Sequence, residues 1–149
     1  MPDIEILLVD DDEGHVELVR RNLKRAGIQN VIATFATGDD AIDYLFGVPG
    51  RPGRADVREL LVLLDINLPG RSDGIEVLRR IKMDPMTRKI PVMMLTTTDN
   101  PREINRCYDL GCNVYVVKPV ASDQFVEAVR RLGLFISIVS TPRASSGAT

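Results

Sequence analysis

The sequence predicts an α/β protein, a doubly wound, five-stranded parallel sheet alternating with five helices. Two observations carry that prediction. Five short runs are almost continuously apolar, as strands covered on both faces must be. The segments between them repeat apolar residues every three or four positions, as helices with one buried stripe do. Strict alternation of the two kinds implies right-handed crossovers and a parallel sheet.

The first strand is the run Ile4 to Val9, and Val16, Val19, Leu23 and Ala26 set the period of the helix after it. Gly27 follows where a left-handed residue commonly ends a helix. Val31 to Ala36 reads as the second strand, and Ala41, Ile42 and Leu45 mark the second helix. Gly47 to Arg58, with Pro49, Gly50, Pro52 and Gly53, reads as an extended surface loop, a tolerated insertion rather than a binding element. The third strand is Leu60 to Leu64, followed by a helix carrying Ile75, Leu78 and Ile81. The fourth strand, Val92 to Leu95, precedes a helix marked by Ile104, Cys107 and Tyr108 and closed by Gly111. The fifth, Val114 to Val117, precedes a helix with Ser122 at its N-cap position and Phe125, Val129, Leu132 and Ile136 along its stripe. We expect all five strands to be buried. Residues 1–140 form one domain in this scheme, and 141–149, small and polar, form a disordered tail. No internal repeat is visible.

The 149 residues suit one core, and 44% apolar content is ordinary for a soluble globular chain. A formal net charge of −2 gives no basic footprint, which argues against nonspecific nucleic-acid or membrane binding. The start has no basic region before an apolar run, and no stretch approaches a membrane span in length, so the protein is expected in the cytoplasm. Cys107 and Cys112 have a poor metal-ligand spacing and read as reduced core residues. His15, the sole histidine, reads as a partly exposed helix residue rather than as a proton-transfer or relay group.

In an open parallel sheet, ligands bind outside the carboxyl ends of the strands. There the first strand delivers Asp10, Asp11 and Asp12, the third Asp65, the fourth Thr96, and the fifth Lys118 and Pro119. Each has an ordinary explanation alone: acids favouring a helix N-terminus, a turn aspartate before Asn67 and Pro69, a surface lysine. Together, each at its own strand end, they point to one site. Clustered carboxylates favour a divalent cation, and Mg2+ suits one or two carboxylates, a backbone carbonyl and a phosphoryl oxygen.

The runs Ile6-Leu7-Leu8-Val9-Asp10-Asp11-Asp12, Leu63-Leu64-Asp65-Ile66-Asn67-Leu68-Pro69, Pro91-Val92-Met93-Met94-Leu95-Thr96 and Tyr115-Val116-Val117-Lys118-Pro119 resemble the response-regulator receiver family across residues 4 to 139. The resemblance implies a flavodoxin-like, CheY-like sheet in the order 2-1-3-4-5. It further implies Asp65 as phosphoacceptor, with Mg2+ held by Asp11, Asp65 and the backbone carbonyl of Asn67, and by Asp10 through a water. Lys118 and Thr96 would bind phosphoryl oxygens, and Thr96 and Tyr115 would act as the switch pair. Asn67 and Thr98 would line the approach and tune dephosphorylation. The step from Pro69 to Gly74 is five residues where most receivers have four, which leaves that loop's shape open.

The insertion before the third strand, Met83-Asp84-Pro85, Arg88-Lys89-Ile90-Pro91, Thr96-Thr97-Thr98 and the ending Phe125 to Val139 are similar to single-domain regulators that partner bacterial phytochrome histidine kinases. That implies a sensor histidine kinase, phytochrome-type, as phosphodonor and an effector protein as target; a phosphate shuttle or sink in a relay is the alternative. Leu132, Leu134, Phe135, Ile136, Ile138 and Val139 exceed what one packed amphipathic helix needs, so a homodimer through the fourth helix, fifth strand and fifth helix is expected. An aspartyl-phosphate hydrolase would place a second acid two residues after the nucleophile, where this chain has Asn67. A dinucleotide-binding protein would show a glycine-rich fingerprint after the first strand, and none is there. A scaffold without phosphorylation is disfavoured because every expected acidic and lysine position is kept. The chain is therefore expected to be a signalling protein and not a turnover enzyme.

Overall fold

The computed structural model describes residues 4–53, 59–97, 99–118 and 122–139, with Ser122 and 132–139 described through their backbone. Its elements are β1 (Glu5–Val9), α1 (Glu13–Arg25), β2 (Ile32–Phe35), α2 (Gly38–Phe46), β3 (Gly47–Val48), β4 (Arg51–Pro52), β5 (Leu60–Leu64), α3 (Gly74–Met83), β6 (Val92–Thr96), α4 (Pro101–Asp109), β7 (Val114–Val117) and α5 (Ser122–Val139). The main sheet is parallel throughout, in the order β2-β1-β5-β6-β7. This is the predicted 2-1-3-4-5 order once the β3–β4 pair is set aside.

Alternation along the central strands divides the core in two. Leu7, Val9, Leu60, Val62, Leu64, Val92 and Met94 face Ala41, Leu45, Leu78 and Ile81 of α2 and α3. Ile6, Leu8, Leu61, Leu63, Met93 and Leu95 face Val19 and Leu23 of α1 and Phe125, Val126 and Val129 of α5. Both faces are apolar, which is why the central strands read as continuous apolar runs.

The expectation of five buried strands holds for β1, β5 and β6 only. β2 and β7 are the edges, so their side chains are half-covered, and Val31, expected in the second strand, precedes it and is 67% exposed. In α4 only Cys107 is fully buried; Ile104 is half-buried and Tyr108 is 47% exposed, because a short helix beside an edge strand has little sheet to cover. The expected extended loop is also corrected. Gly47–Val48 pairs antiparallel with Arg51–Pro52 around Pro49 and Gly50, and Gly50 at φ +86° gives the second turn position the left-handed conformation that a tight Pro-Gly turn needs. A side chain at Gly47 would collide with the backbone of Gly53 at 2.4 Å. The remainder of the insertion, 54–58, and the expected 141–149 tail lie outside the described residues, as do Thr98 and Pro119.

Four helices begin on a capping side chain: Asp12, Thr37, Asp73 and Asn100 each accept a backbone amide of the first turn. Gly27 and Gly111 take positive φ after α1 and α4, as expected. Cys107 and Cys112 are buried free thiols. No described helix is long and apolar enough to cross a membrane.

Candidate functional site

The sheet register builds the site. Val9 lies opposite both Phe35 and Leu64, and the ladder runs one step further through Asp10 N–H to the Phe35 carbonyl and Asp65 N–H to the Val9 carbonyl. Asp10 and Asp65 therefore leave adjacent strands side by side. Thr96 pairs with Val117, so Lys118 arrives one residue later, its amide donating to the Thr96 carbonyl at 2.7 Å.

Carboxylate oxygens of Asp10, Asp11 and Asp65 all lie within 4.8 Å of one another. Asp10 and Asp65 are buried and Asp11 is exposed. The Lys118 ammonium bridges the buried pair, 3.0 Å from Asp10 Oδ2 and 3.2 Å from Asp65 Oδ2. The backbone N–H of exposed Asn67 donates to Asp65 Oδ1 at 3.3 Å. Thr96 is fully buried, and its hydroxyl has no partner among the described residues.

The two buried aspartates diverge electrostatically. Burial pushes the Asp65 carboxyl up; the Lys118 charge opposes this but the Asp10 charge adds to it, and the net pKa is raised. Burial also works against ionised Asp10, yet hydrogen bonds from His15, the Asp12 amide and Lys118 outweigh it and hold Asp10 below the ordinary carboxylate range. For Lys118, burial disfavours the charge, but its bonds and charge interactions with both aspartates raise its pKa. Asp65 is thus the less satisfied carboxylate of the buried pair, the one with most to gain from a further cation.

Three hard oxygen donors this close fit a divalent ion that prefers carboxylates, so the residues suit Mg2+. Asp12 is not among them: its side chain caps α1, accepting the His15 amide at 3.2 Å. Tyr115 is half-buried against the α4 side of the sheet, and burial pushes its phenol up to about 12.

His15 corrects an expectation. It is 7% exposed, not partly exposed, and its Nδ1 lies 2.6 Å from Asp10 Oδ2. The cap at Asp12 starts α1 immediately beyond the strand, so a residue on the first turn points back over the strand end; that five-residue spacing was the available signal. Asp39 was also not foreseen. At the start of α2 its carboxylate accepts the Arg71 amide at 3.0 Å and a bond from Ser72, fastening the lengthened loop after Pro69.

The sequence profile of the response regulator receiver domain matches residues 6–130. The chain belongs to that family. This receiver is similar to a receiver domain from Rhodospirillum rubrum whose crystal structure superposes with a TM-score of 0.75, at 48% identity over 91% of this chain and 94% of that one. It is 36% identical to response regulator Rcp1 of Synechocystis over 76% of this chain and 75% of Rcp1, a protein whose Mn2+-bound form has been solved. It also resembles the phosphorylated cyanobacterial phytochrome response regulator RcpA, with a TM-score of 0.67 and 32% identity over 93% and 96% of the two chains. The receiver is a two-component signalling protein with homologues among phytochrome response regulators.

Proposed function

We propose that this receiver accepts a phosphoryl group on Asp65 from the phosphohistidine of a sensor kinase and switches a protein-binding surface in response. The observation that carries the proposal is the convergence of Asp10, Asp11 and Asp65 within 4.8 Å, beside the Lys118 ammonium that bridges two of them.

An Asp65 oxygen attacks phosphorus in line as the phosphorus–nitrogen bond to the donor histidine breaks. The imidazole leaves with the bonding electron pair and takes a proton from solvent, and the product is an aspartyl phosphate. The Asn67 amide orients the nucleophile through Oδ1. Lys118 is freed from Asp65 Oδ2 as that carboxylate loses its charge, and its ammonium meets a phosphoryl oxygen instead. Thr96 turns its unpartnered hydroxyl to another phosphoryl oxygen, which satisfies a buried donor. Asp11, Asp65 and the Asn67 carbonyl, with Asp10 through a water, would hold Mg2+, which would supply neutralising charge to the phosphoryl oxygens when bound. Asn67, exposed beside the acceptor, and Thr98 tune hydrolysis of the product.

Movement of Thr96 biases Tyr115, and with it the α4–β7–α5 surface, between two arrangements. That surface supports both a homodimer and an effector contact. Likeness to RcpA supports a phytochrome-type kinase as donor, and membership of the receiver family supports the cytoplasm as the place of action. The 1–140 receiver unit belongs to the same proposal.

The test is intact-protein mass spectrometry after incubation with Mg2+ and acetyl phosphate. We expect a labile gain of one phosphoryl mass, lost in Asp65→Asn and abolished by chelator. Unchanged mass under these conditions and with a cognate kinase would overturn the proposal. Transfer of the label onward to a histidine phosphotransfer protein, faster than hydrolysis, would favour the shuttle role over direct output.

A further inference from the structure

His15 is built into the acidic site without belonging to its charge cluster. Its ring is buried on the first turn of α1, and Nδ1 meets Asp10 Oδ2 at 2.6 Å. The same oxygen takes Lys118 Nζ at 3.0 Å, while Asp10 Oδ1 accepts the Asp12 amide at 2.9 Å. Asp10 is thereby gripped by donors from three directions: a helix side chain, the backbone beyond its own strand, and the lysine at the end of β7. A carboxylate held in this way has one orientation.

The other ring nitrogen identifies what the histidine is for. Nε2 is buried and has no partner among the described residues. Because a carboxylate can only accept, Nδ1 carries the shared proton in that bond, and in the neutral ring Nε2 is a bare acceptor. Burying an unpartnered ring nitrogen costs stability that a leucine of similar volume would not incur. Its neighbours on the inner face of α1, Val19 and Leu23, are apolar. Packing alone would therefore favour an aliphatic residue here, and the bond from Nδ1 is what the histidine adds.

We infer that His15 is a positioning residue for the divalent-cation site: its Nδ1–H fixes the Asp10 carboxylate so that the cluster with Asp11 and Asp65 is preformed. The inference rests on the proposed cation site. It follows the general pattern in which partners behind a metal's own ligands orient them, with losses of roughly 10–100-fold in affinity when such partners are removed.

The experiment is a Mg2+ titration of the metal-free protein followed by its thermal midpoint, for wild type, His15→Leu and His15→Asn. Asparagine can place its amide N–H where Nδ1 stands, whereas leucine keeps the volume and removes the donor. The readout is the Mg2+ concentration giving half of the full rise, so a change in absolute midpoint from repacking does not enter. We expect that concentration to increase about tenfold or more in His15→Leu and His15→Asn to stay within about threefold of wild type. Identical Mg2+ dependence in wild type and His15→Leu, or His15→Asn as impaired as His15→Leu, would overturn the positioning role and leave the cation site standing. A wild-type protein indifferent to Mg2+ would overturn both.

Discussion

Asp65 feels both the Lys118 cation and a second carboxylate, Asp10, and the balance sets how the site responds to pH. Its folded pKa is raised above the unfolded value of 3.8 by burial and by Asp10, against Lys118. A raised pKa contributes stability that is complete below 3.8 and is lost as pH rises through the folded value, so ionised Asp65 is a cost at neutrality. Asp10, with its pKa lowered, does the opposite: its contribution is present above 3.8 and fades as pH falls. Asp65→Asn leaves Lys118 paired one-to-one with Asp10 at 3.0 Å. We expect this variant, free of divalent ions at neutral pH, to be more stable than wild type by about 1 kcal/mol in urea, with the advantage shrinking as pH falls through the raised Asp65 value and gone below 3.8. Equal or lower stability would contradict the charge balance. Mg2+ should reverse the order, since binding at a hundredfold excess over Kd stabilises by roughly 2.7 kcal/mol. The two thiols give a second check. Burial, with a smaller push from the charge of Glu103, raises Cys107 to about 11, and burial with the charge of Cys107 raises Cys112 to about 12. At neutral pH each is overwhelmingly the unreactive thiol, so a thiol reagent should modify the folded protein at least about 100-fold more slowly than the unfolded chain. With folded values above 9.0, the same groups should make stability decline as pH climbs past 9.0 toward 12, an effect smaller in Cys112→Ala.

At the scale of elements, the lengthened loop after Asp65 is held from both sides. Gly74 sits so close to Asp65 that an added Cβ would meet the Asp65 carbonyl at 2.0 Å, while Asp39 on α2 grips the Arg71 amide from the other side. We expect Asp39→Ala to speed hydrogen exchange at Arg71 roughly tenfold while amides of β1 and β5 keep their rates. Unchanged exchange at Arg71 would show that Gly70 and Ser72 hold the loop unaided. The clamp was not legible in the sequence, because nothing local to Asp39 indicates a partner 32 residues away. What could be read was whatever depends on period and strand end. The apolar runs located the three central strands, and the rule that ligands collect at carboxyl ends assembled Asp10, Asp11, Asp65, Thr96 and Lys118. Edge strands misled because Val114–Val117 and Ile32–Phe35 are as apolar as the central ones although half of each lies uncovered. The β3–β4 pair was missed because Pro and Gly signal a turn without saying whether the chain pairs across it. His15 was misjudged because one helical turn decides whether a ring faces solvent or the strand end.

For the whole molecule, the remaining question is whether the unit of function is one chain or two. Val117 on the edge strand β7 is exposed, and on one flank stands α4, whose face carries exposed Tyr108. On the other runs α5, whose sequence from Leu132 to Val139 is almost wholly apolar. Phe125, Val126 and Val129 already fill the core beneath α5, so a further apolar helical turn has no need of the same sheet. An interface of standard size takes about 800 Å² from each partner, which the expected dimer would draw from α5 with a share of β7 and α4. A self-complementary patch of this kind would close into a two-fold pair and leave the proposed phosphorylation edge, at the ends of β1 and β5, open to a kinase. Light scattering should therefore find a dimer at tens of micromolar, tightening on phosphorylation as Thr96 of β6 and Tyr115 of β7 rearrange. Phe135→Asp with Ile136→Asp should return the protein to monomer while acetyl phosphate still labels Asp65. A wild-type monomer at that concentration, with and without the phosphoryl group, would assign the apolar end of α5 to an effector instead of a second copy.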